Sequence, residues 1–250
     1  MSGETSARAV NSAAPATRTV QVVRFFARFT REQRWEHWLL FGSFTVLFLT
    51  GIVQKYRNEP WSQNILSTPE RLELVQNIHH IAAIVLTLEV IYHLARGIYL
   101  LARRKMPHAI FPDWQDVKDA GRMSKYLLFL TKKTPKYGKY NFEQKLTYWF
   151  LFFSIGLMVI TGFIIWFPIQ VTSVLPGSIV PAAKLTHSTE AIVAGVFVLI
   201  WHLFHVVFDR LNLSMFTGRL NEDDMRKYHA AEFERLTGEP ADTPDQGGQA

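Results

Sequence analysis

The 250-residue chain contains no cysteine. That absence excludes disulfides, iron–sulfur clusters and covalently attached c-type haem on this polypeptide, so any redox centre it holds must hang on histidine. Charge is absent in a pattern. The run Trp38 to Gln54 carries no charged residue, and neither does Trp149 to Trp166. A core helix of a soluble domain would carry a polar stripe instead.

Bulk composition decides little, because 48% hydrophobic and 14% aromatic content would suit a soluble domain. Distribution decides more. Apolar residues gather into four blocks, at about 38–54, 78–101, 147–167 and 185–208, each near the ~20 residues that cross a bilayer as helix. The sequence therefore predicts an all-α fold, an integral membrane four-helix bundle, set in membrane lipid.

The net charge of +6 fits membrane topology better than nucleic acid, and no nucleic-acid partner is expected. Arg18, Arg24, Arg28, Arg31 and Arg34 precede the first span, and Arg103 to Lys139 crowd the loop between spans two and three. The third loop holds only Lys184; the first holds Lys55, Arg57 and Arg71 beside acids. The excess of cations at one face predicts cytoplasmic termini in a multi-pass protein of the cell (inner) membrane.

Residues 1–20 are rich in Ser, Ala and Thr without an apolar run, which reads as a disordered cytoplasmic tail rather than a signal peptide. The four-span domain is expected over 21–236, and 237–250 reads as a second loose tail. Asn58 to Trp61 and Ser67 to Glu70 carry turn and helix-start signals between spans one and two. Phe111 to Gly121 reads as an amphipathic helix on the cytoplasmic surface, and Leu220 to Leu236 as a charged cytoplasmic helix.

Seven of the nine histidines fall in or at the edges of the spans: His37, His79, His80, His93, His187, His202 and His205. One histidine near a span end is commonly an interfacial residue; seven on three spans is a different pattern, because ionisable groups at depth are costly. His79 and His93 are fourteen residues apart, and His187 and His202 fifteen. At ~1.5 Å and ~100° per residue, either spacing returns to nearly one face after ~21 Å. One helix can thus offer a ligand to each of two stacked b-type haems. By depth, His79 and His187 share the outer haem, and His37 pairs with His202 at the inner one, with His93 and His205 as rivals. Arg34, Arg96 and Lys184 stand where haem propionates would need cations, although topology and snorkelling explain them too. Small residues such as Gly51 and Gly162 suit a flat macrocycle or close helix packing equally.

Several motifs carry a resemblance over about residues 30–225. They are Arg34-Trp-Glu-His37-Trp38 with Gly51 fourteen residues after the histidine, Ile78-His79 with Arg96 seventeen on, Tyr137-Gly-Lys-Tyr-Asn141-Phe-Glu-Gln144-Lys145, Thr161 to Trp166, and Leu185-Thr-His187. With these the chain resembles the membrane cytochrome b (gamma) subunit of respiratory formate dehydrogenases and the related cytochrome b proteins of hydrogenases and thiosulfate reductases. The resemblance implies haem ligation by His37, His79 and His187. It puts the fourth ligand fourteen residues after His187, where this chain has Trp201, so His202 is the nearest candidate and needs a bulge or rotation of its helix. It also implies a quinone pocket at Asn141, with Glu143 where the family has glycine; a plain N-cap role for Asn141 stands beside that.

The expected function is that of a di-haem cytochrome b, an electron-transfer subunit of a respiratory oxidoreductase complex with its catalytic centre on another chain. Its cofactors would be two haem b, with quinone (menaquinone or ubiquinone) as substrate. Its partners would be redox subunits carrying iron–sulfur clusters or c-type haems. Two other readings are a stand-alone quinol-oxidising cytochrome b and, in a different class, a haem-free helical transporter or scaffold using Glu89 and Glu190.

Overall fold

The computed structural model describes residues 24–105, 108–208 and 211–241; the expected tail over 1–20 lies outside them. Thr30 starts α1 (Arg31–Lys55), its hydroxyl accepting from Gln33 N–H while the Gln33 side chain accepts from Thr30 N–H. A short α2 (Pro60–Ile65) turns the chain, and the Ser62 hydroxyl, fully buried, donates to Val53 O at 2.6 Å. Thr68 and Pro69 then open α3 (Pro69–Ala102). Asp113 caps α4 (Trp114–Leu127), and Asn141 caps α5 (Phe142–Trp166). After α6 (Pro168–Thr172) comes α7 (Ile179–Phe197), which runs on through two π-helical turns, Val198–His202 and Phe204–Phe208.

Four of these helices are long and apolar enough to cross a membrane, with mean hydropathy between 1.4 and 2.2. Their large side chains face outward: Leu49 is 59% exposed, Ile81 63%, Ile160 61% and Ile200 69%. Such a belt is unstable against water and suits lipid. The spans start before the apolar blocks do. Arg31 to His37 and Pro69 to Asn77 are polar yet helical, because capping at Thr30 and Thr68 sets those starts and hydropathy does not.

The spans alternate in direction. Glu36 near the start of α1 meets His93 late in α3, and Gly51 near its end meets His79 early in α3. α1 packs along α3 and α5 along α7, while the two pairs touch more sparingly. At Gly195 α7 comes so close to α1 that a Cβ would run into the Phe48 ring. One end of the bundle, here the termini end, carries the start of α1 and the close of the last span; the far end carries α2 and α6.

A small water-facing cap closes the termini end. β1 (Phe25–Ala27) pairs antiparallel with β2 (Arg219–Asn221), Phe26 opposite Leu220. Between the last span and β2 lies α8 (Ser214–Thr217), ended by Gly218 at φ 75°. The expected helix over 220–236 is three pieces, β2, α9 (Glu222–Tyr228) and α10 (Ala230–Thr237), because Leu220 is drawn into the ribbon and the chain bends at His229. Leu220, Met225, Ala230, Phe233 and Ala241 bury together, with Phe26 packed against them. The loose tail read from 237 therefore needs correction. Glu239 pairs with Arg24 and Arg226, both at 2.9 Å, and Ala241 is buried, so 237–241 belong to the cap; residues 242–250 lie outside those described.

Arg24 and then Arg226 hold the Glu222 carboxyl down to a pKa of about 2. A folded-state pKa below the ordinary value near 4.5 stabilises the cap fully above that value and is lost as pH falls toward the folded pKa. Amide exchange over 219–228, corrected for intrinsic rate, should thus stay slow near neutrality and quicken between about 4.5 and about 2, while α5 stays protected. High salt should quicken it near neutrality as well, because these ion pairs are exposed enough to be screened.

Candidate functional site

At the far end, His79 on α3 and His187 on α7 are served by one device used twice. His79 Nδ1 lies 2.8 Å from Thr50 Oγ1, and His187 Nδ1 lies 3.0 Å from Thr161 Oγ1. Each hydroxyl also donates to the carbonyl one turn back, Thr50 to Val46 O and Thr161 to Leu157 O, both at 2.7 Å. A hydroxyl has one proton to give. With it committed to the backbone, each Oγ1 accepts from Nδ1–H, which fixes the tautomer and leaves Nε2 with a bare lone pair. A glycine follows each threonine, and a Cβ there would stand 3.5 Å (Gly51) and 3.2 Å (Gly162) from the Cε1 of the ring it faces. The two imidazoles lie within electrostatic reach of each other.

At the termini end, His37 on α1 and His202 have ring centroids 6.2 Å apart at 47°. His202 reaches this position through the first π-helical turn, in which Leu203 N–H bonds Val198 O, five residues back. The wider turn takes up one extra residue. Trp201, at the fourteenth position after His187, instead donates its indole N–H to Thr147 Oγ1 at 3.1 Å. His37 Nδ1 is buried without a hydrogen-bond partner among the described residues.

The other histidines are engaged elsewhere. His93 uses both ring nitrogens, Nδ1 at 2.7 Å from Glu36 Oε2 and Nε2 at 3.0 Å from the Tyr148 hydroxyl. His205 Nδ1 bonds Trp201 O at 2.7 Å, and its Nε2 lies 3.7 Å from Glu143 Oε2. His80 stacks on Trp166, centroids 4.2 Å apart. The expected propionate cations have protein partners as well. Arg96 pairs with Glu36 Oε1 at 3.0 Å, and Arg34 donates to Met215 O at 3.1 Å and to Phe216 O. Lys184 is exposed. Asn141 is the N-cap of α5, its Oδ1 accepting from Gln144 N–H at 2.8 Å, and that acceptance leaves its side-chain NH2 group as a donor.

Sequence reasoning missed Thr50, Thr161 and the Glu36–His93–Tyr148 chain. A signal for the first two exists, since a Thr-Gly pair sits in spans one and three, each time on the helix preceding a ligand candidate. The donor set suits haem b, a group held by neutral imidazole nitrogens. His79 and His187 present bare Nε2 atoms, and the buried Nδ1 of His37 lies in the ring beside His202.

Comparison with known proteins agrees. Residues 28–218 match the family described as prokaryotic cytochrome b561. The cytochrome b556 subunit of a Haemophilus influenzae formate dehydrogenase is 28% identical over 133 residues, 53% of this chain and only 51% of that relative's length. Two Escherichia coli relatives align more fully. The cytochrome b556(Fdn) subunit of the nitrate-inducible formate dehydrogenase is 24% identical over 77% of this chain and 83% of its own, and the cytochrome b556(fdo) subunit 23% over 81% and 89%.

Four apolar helices with histidines paired inside them define a multi-pass membrane cytochrome b, an electron-transport protein that binds haem b. The chain belongs to the prokaryotic cytochrome b561 family.

Thr50→Val and Thr161→Val preserve shape but remove the hydroxyl acceptor of Nδ1–H and leave it only the backbone carbonyls of Leu47 and Met158, a loss of about 1 kcal/mol. Each should weaken haem retention on the order of 10-fold, read as haem bound per chain on dilution, and each should raise a haem midpoint potential in redox titration.

Proposed function

We propose that this chain is the di-haem membrane subunit of a respiratory oxidoreductase complex. His79 and His187 would hold one haem b and His37 and His202 the other. The observation that carries the reading is the meeting of His37 and His202 rings, 6.2 Å apart, through a π-helical turn that offsets the one-residue mismatch at Trp201. Bound there, haem b supplies a one-electron Fe(III)/Fe(II) couple; the protein supplies ligands, orientation and tuning.

The termini end is taken as the cytoplasmic face. Support comes from the cations of the α3–α5 loop, against the few of the far-end loops. Electrons are taken to enter at the far-end pair and to leave at the termini end, where Asn141 caps α5.

The donor at the far end is another subunit, since this chain has no cysteine to hold an iron–sulfur cluster. The relatives' names make a formate dehydrogenase-like complex the leading candidate. At the termini end the acceptor is a quinone, which takes two electrons one at a time and two protons to become quinol. The Asn141 NH2 group, not used by the cap, would donate to a quinone carbonyl, and Glu143 with His205, 3.7 Å apart, would hand on protons.

A pyridine haemochrome assay on detergent-purified protein should give two b-type haems per chain. His202→Ala should lose one, and His205→Ala should keep both; two haems in His202→Ala would end this pairing. Asp caps a helix as well as Asn does but lacks the NH2 donor. Asn141→Asp should therefore keep haem content and thermal stability while quinone reduction falls on the order of 10-fold or more, the loss of one hydrogen bond of about 1.5 kcal/mol or above. Unchanged turnover would leave Asn141 a cap only.

A further inference from the structure

α4 is fastened at one end and bare at the other. Its start is bound to the foot of α5: Lys145, buried, reaches Asp116 at 2.9 Å and Asp113 at 3.3 Å, and the Trp149 indole donates to Ile110 O at 3.1 Å. Lys145 and Trp149 stand at the start of an apolar span, so α4 lies at the level where the bilayer begins. At its other end the chain turns with Phe129 at φ 58°, a left-handed backbone that large residues rarely adopt. That turn thrusts four large apolar side chains outward together. Leu127 is 63% exposed, Leu128 67%, Phe129 95% and Leu130 73%. Trp114 (70%) and Val117 (56%) extend the apolar surface along α4.

Beside this turn lies a groove of about 490 Å³ lined by Arg122, Lys125, Lys133 and Lys136, with Thr131 and Thr134 among them. Arg122 is partnered by Asp119 and Lys136 by Glu234, but no ion pair forms at Lys125 or Lys133 among the described residues. From Ala120 to Phe142 the sequence has six Lys and Arg and no Asp or Glu. Cations with hydroxyls between them bind phosphate, and clustered cations at a membrane's cytoplasmic side recognise anionic headgroups. An exposed turn of Leu, Leu, Phe and Leu adjoining them is what acyl chains cover.

We propose that this segment is an anionic-phospholipid foot. The phosphate of a lipid in the spanned bilayer sits in the Arg122–Lys125–Lys133–Lys136 groove, and Leu127 to Leu130 dip among the acyl chains. The foot binds lipid whether or not the haem assignments above hold. It anchors the loop between α3 and α5, whose last residues lead directly into Asn141.

The test takes the full-length, haem-loaded protein, delipidated in detergent, with phosphatidylglycerol, phosphatidylcholine or inorganic phosphate added. Native mass spectrometry and thermal melting are the readouts. Phosphatidylglycerol should stay bound and raise the melting temperature; the other two should do neither. With about a fivefold contribution per cation near an anionic surface, Lys125→Gln/Lys133→Gln should weaken phosphatidylglycerol binding about 30-fold. The charge-matched control Lys55→Gln/Lys118→Gln, outside that run of cations, should change it little, and an unaltered haem spectrum certifies the fold of each variant. Phe129→Ser should weaken retention of the lipid while leaving the groove cations in place. Equal binding of phosphatidylcholine, equal protection by inorganic phosphate, or undiminished binding by the groove variant would each overturn the proposal.

Discussion

A polar atom inside a lipid-facing bundle must find a partner within the protein or in a bound group, and the imidazole nitrogens show how far that requirement organises this structure. Leaving one unmet costs about 1–3 kcal/mol, comparable to a well-buried side chain. His93 meets it twice over, and in doing so ties α1 to α3 and α5 through Glu36 and Tyr148. His79 and His187 meet it at Nδ1 alone, through hydroxyls whose own protons are already committed to backbone carbonyls. The nitrogens left over are those on which a metal-centred group can be hung. His93, with both nitrogens bonded inside the protein, has none left over.

How much of this was legible in the sequence depended on whether the signal was local. The four spans are local, since apolar runs near the length of a bilayer admit few other folds, and each block lies within or largely overlaps one of the four long apolar helices. Helix ends were less legible, because Arg31 to His37 looks like a polar approach and is helical through the Thr30 capping box. The ribbon joining Phe25–Ala27 to Arg219–Asn221 was invisible, for three residues carry no strand signal and the partner lies nearly the whole chain away. The C-terminal boundary was misread for a related reason. Pro and Gly made the end look loose, while Glu239 is held by two arginines, one of them at the opposite end of the chain.

In the candidate site, spacing pointed to His79 with His93 and to His187 with His202, because helical periodicity converts sequence distance into depth and face, while His37 was read from its depth at the start of its span. His202 tested the limit of that reasoning. Regular helix sets the ligand's face at Trp201, and only a local change in winding brings His202 round instead, a change stabilised by tertiary contacts such as Trp201 with Thr147. The threonines were legible in hindsight as a repeated Thr-Gly pair. Asn141 shows that two readings of one residue need not compete, since the cap occupies the carbonyl oxygen and leaves the amide hydrogens.

The two ends of the bundle are built for different traffic. Around the far-end pair the ring partners are neutral hydroxyls, and the one carboxyl close by in sequence, Glu190, is taken up by Ser154. At the termini end, Glu36 is shared between Arg96 and His93, Glu143 approaches His205, and Lys145 lies between Asp113 and Asp116. Charged groups are costly at membrane depth unless paired, so such a concentration argues for exchange with water at that face. Electrons need only closely spaced centres, whereas quinone chemistry also needs protons. The far-end imidazoles thus sit among uncharged ring partners while the termini end gathers paired acids and bases, and on the proposed reading it is at that end that quinone and its protons would meet the chain.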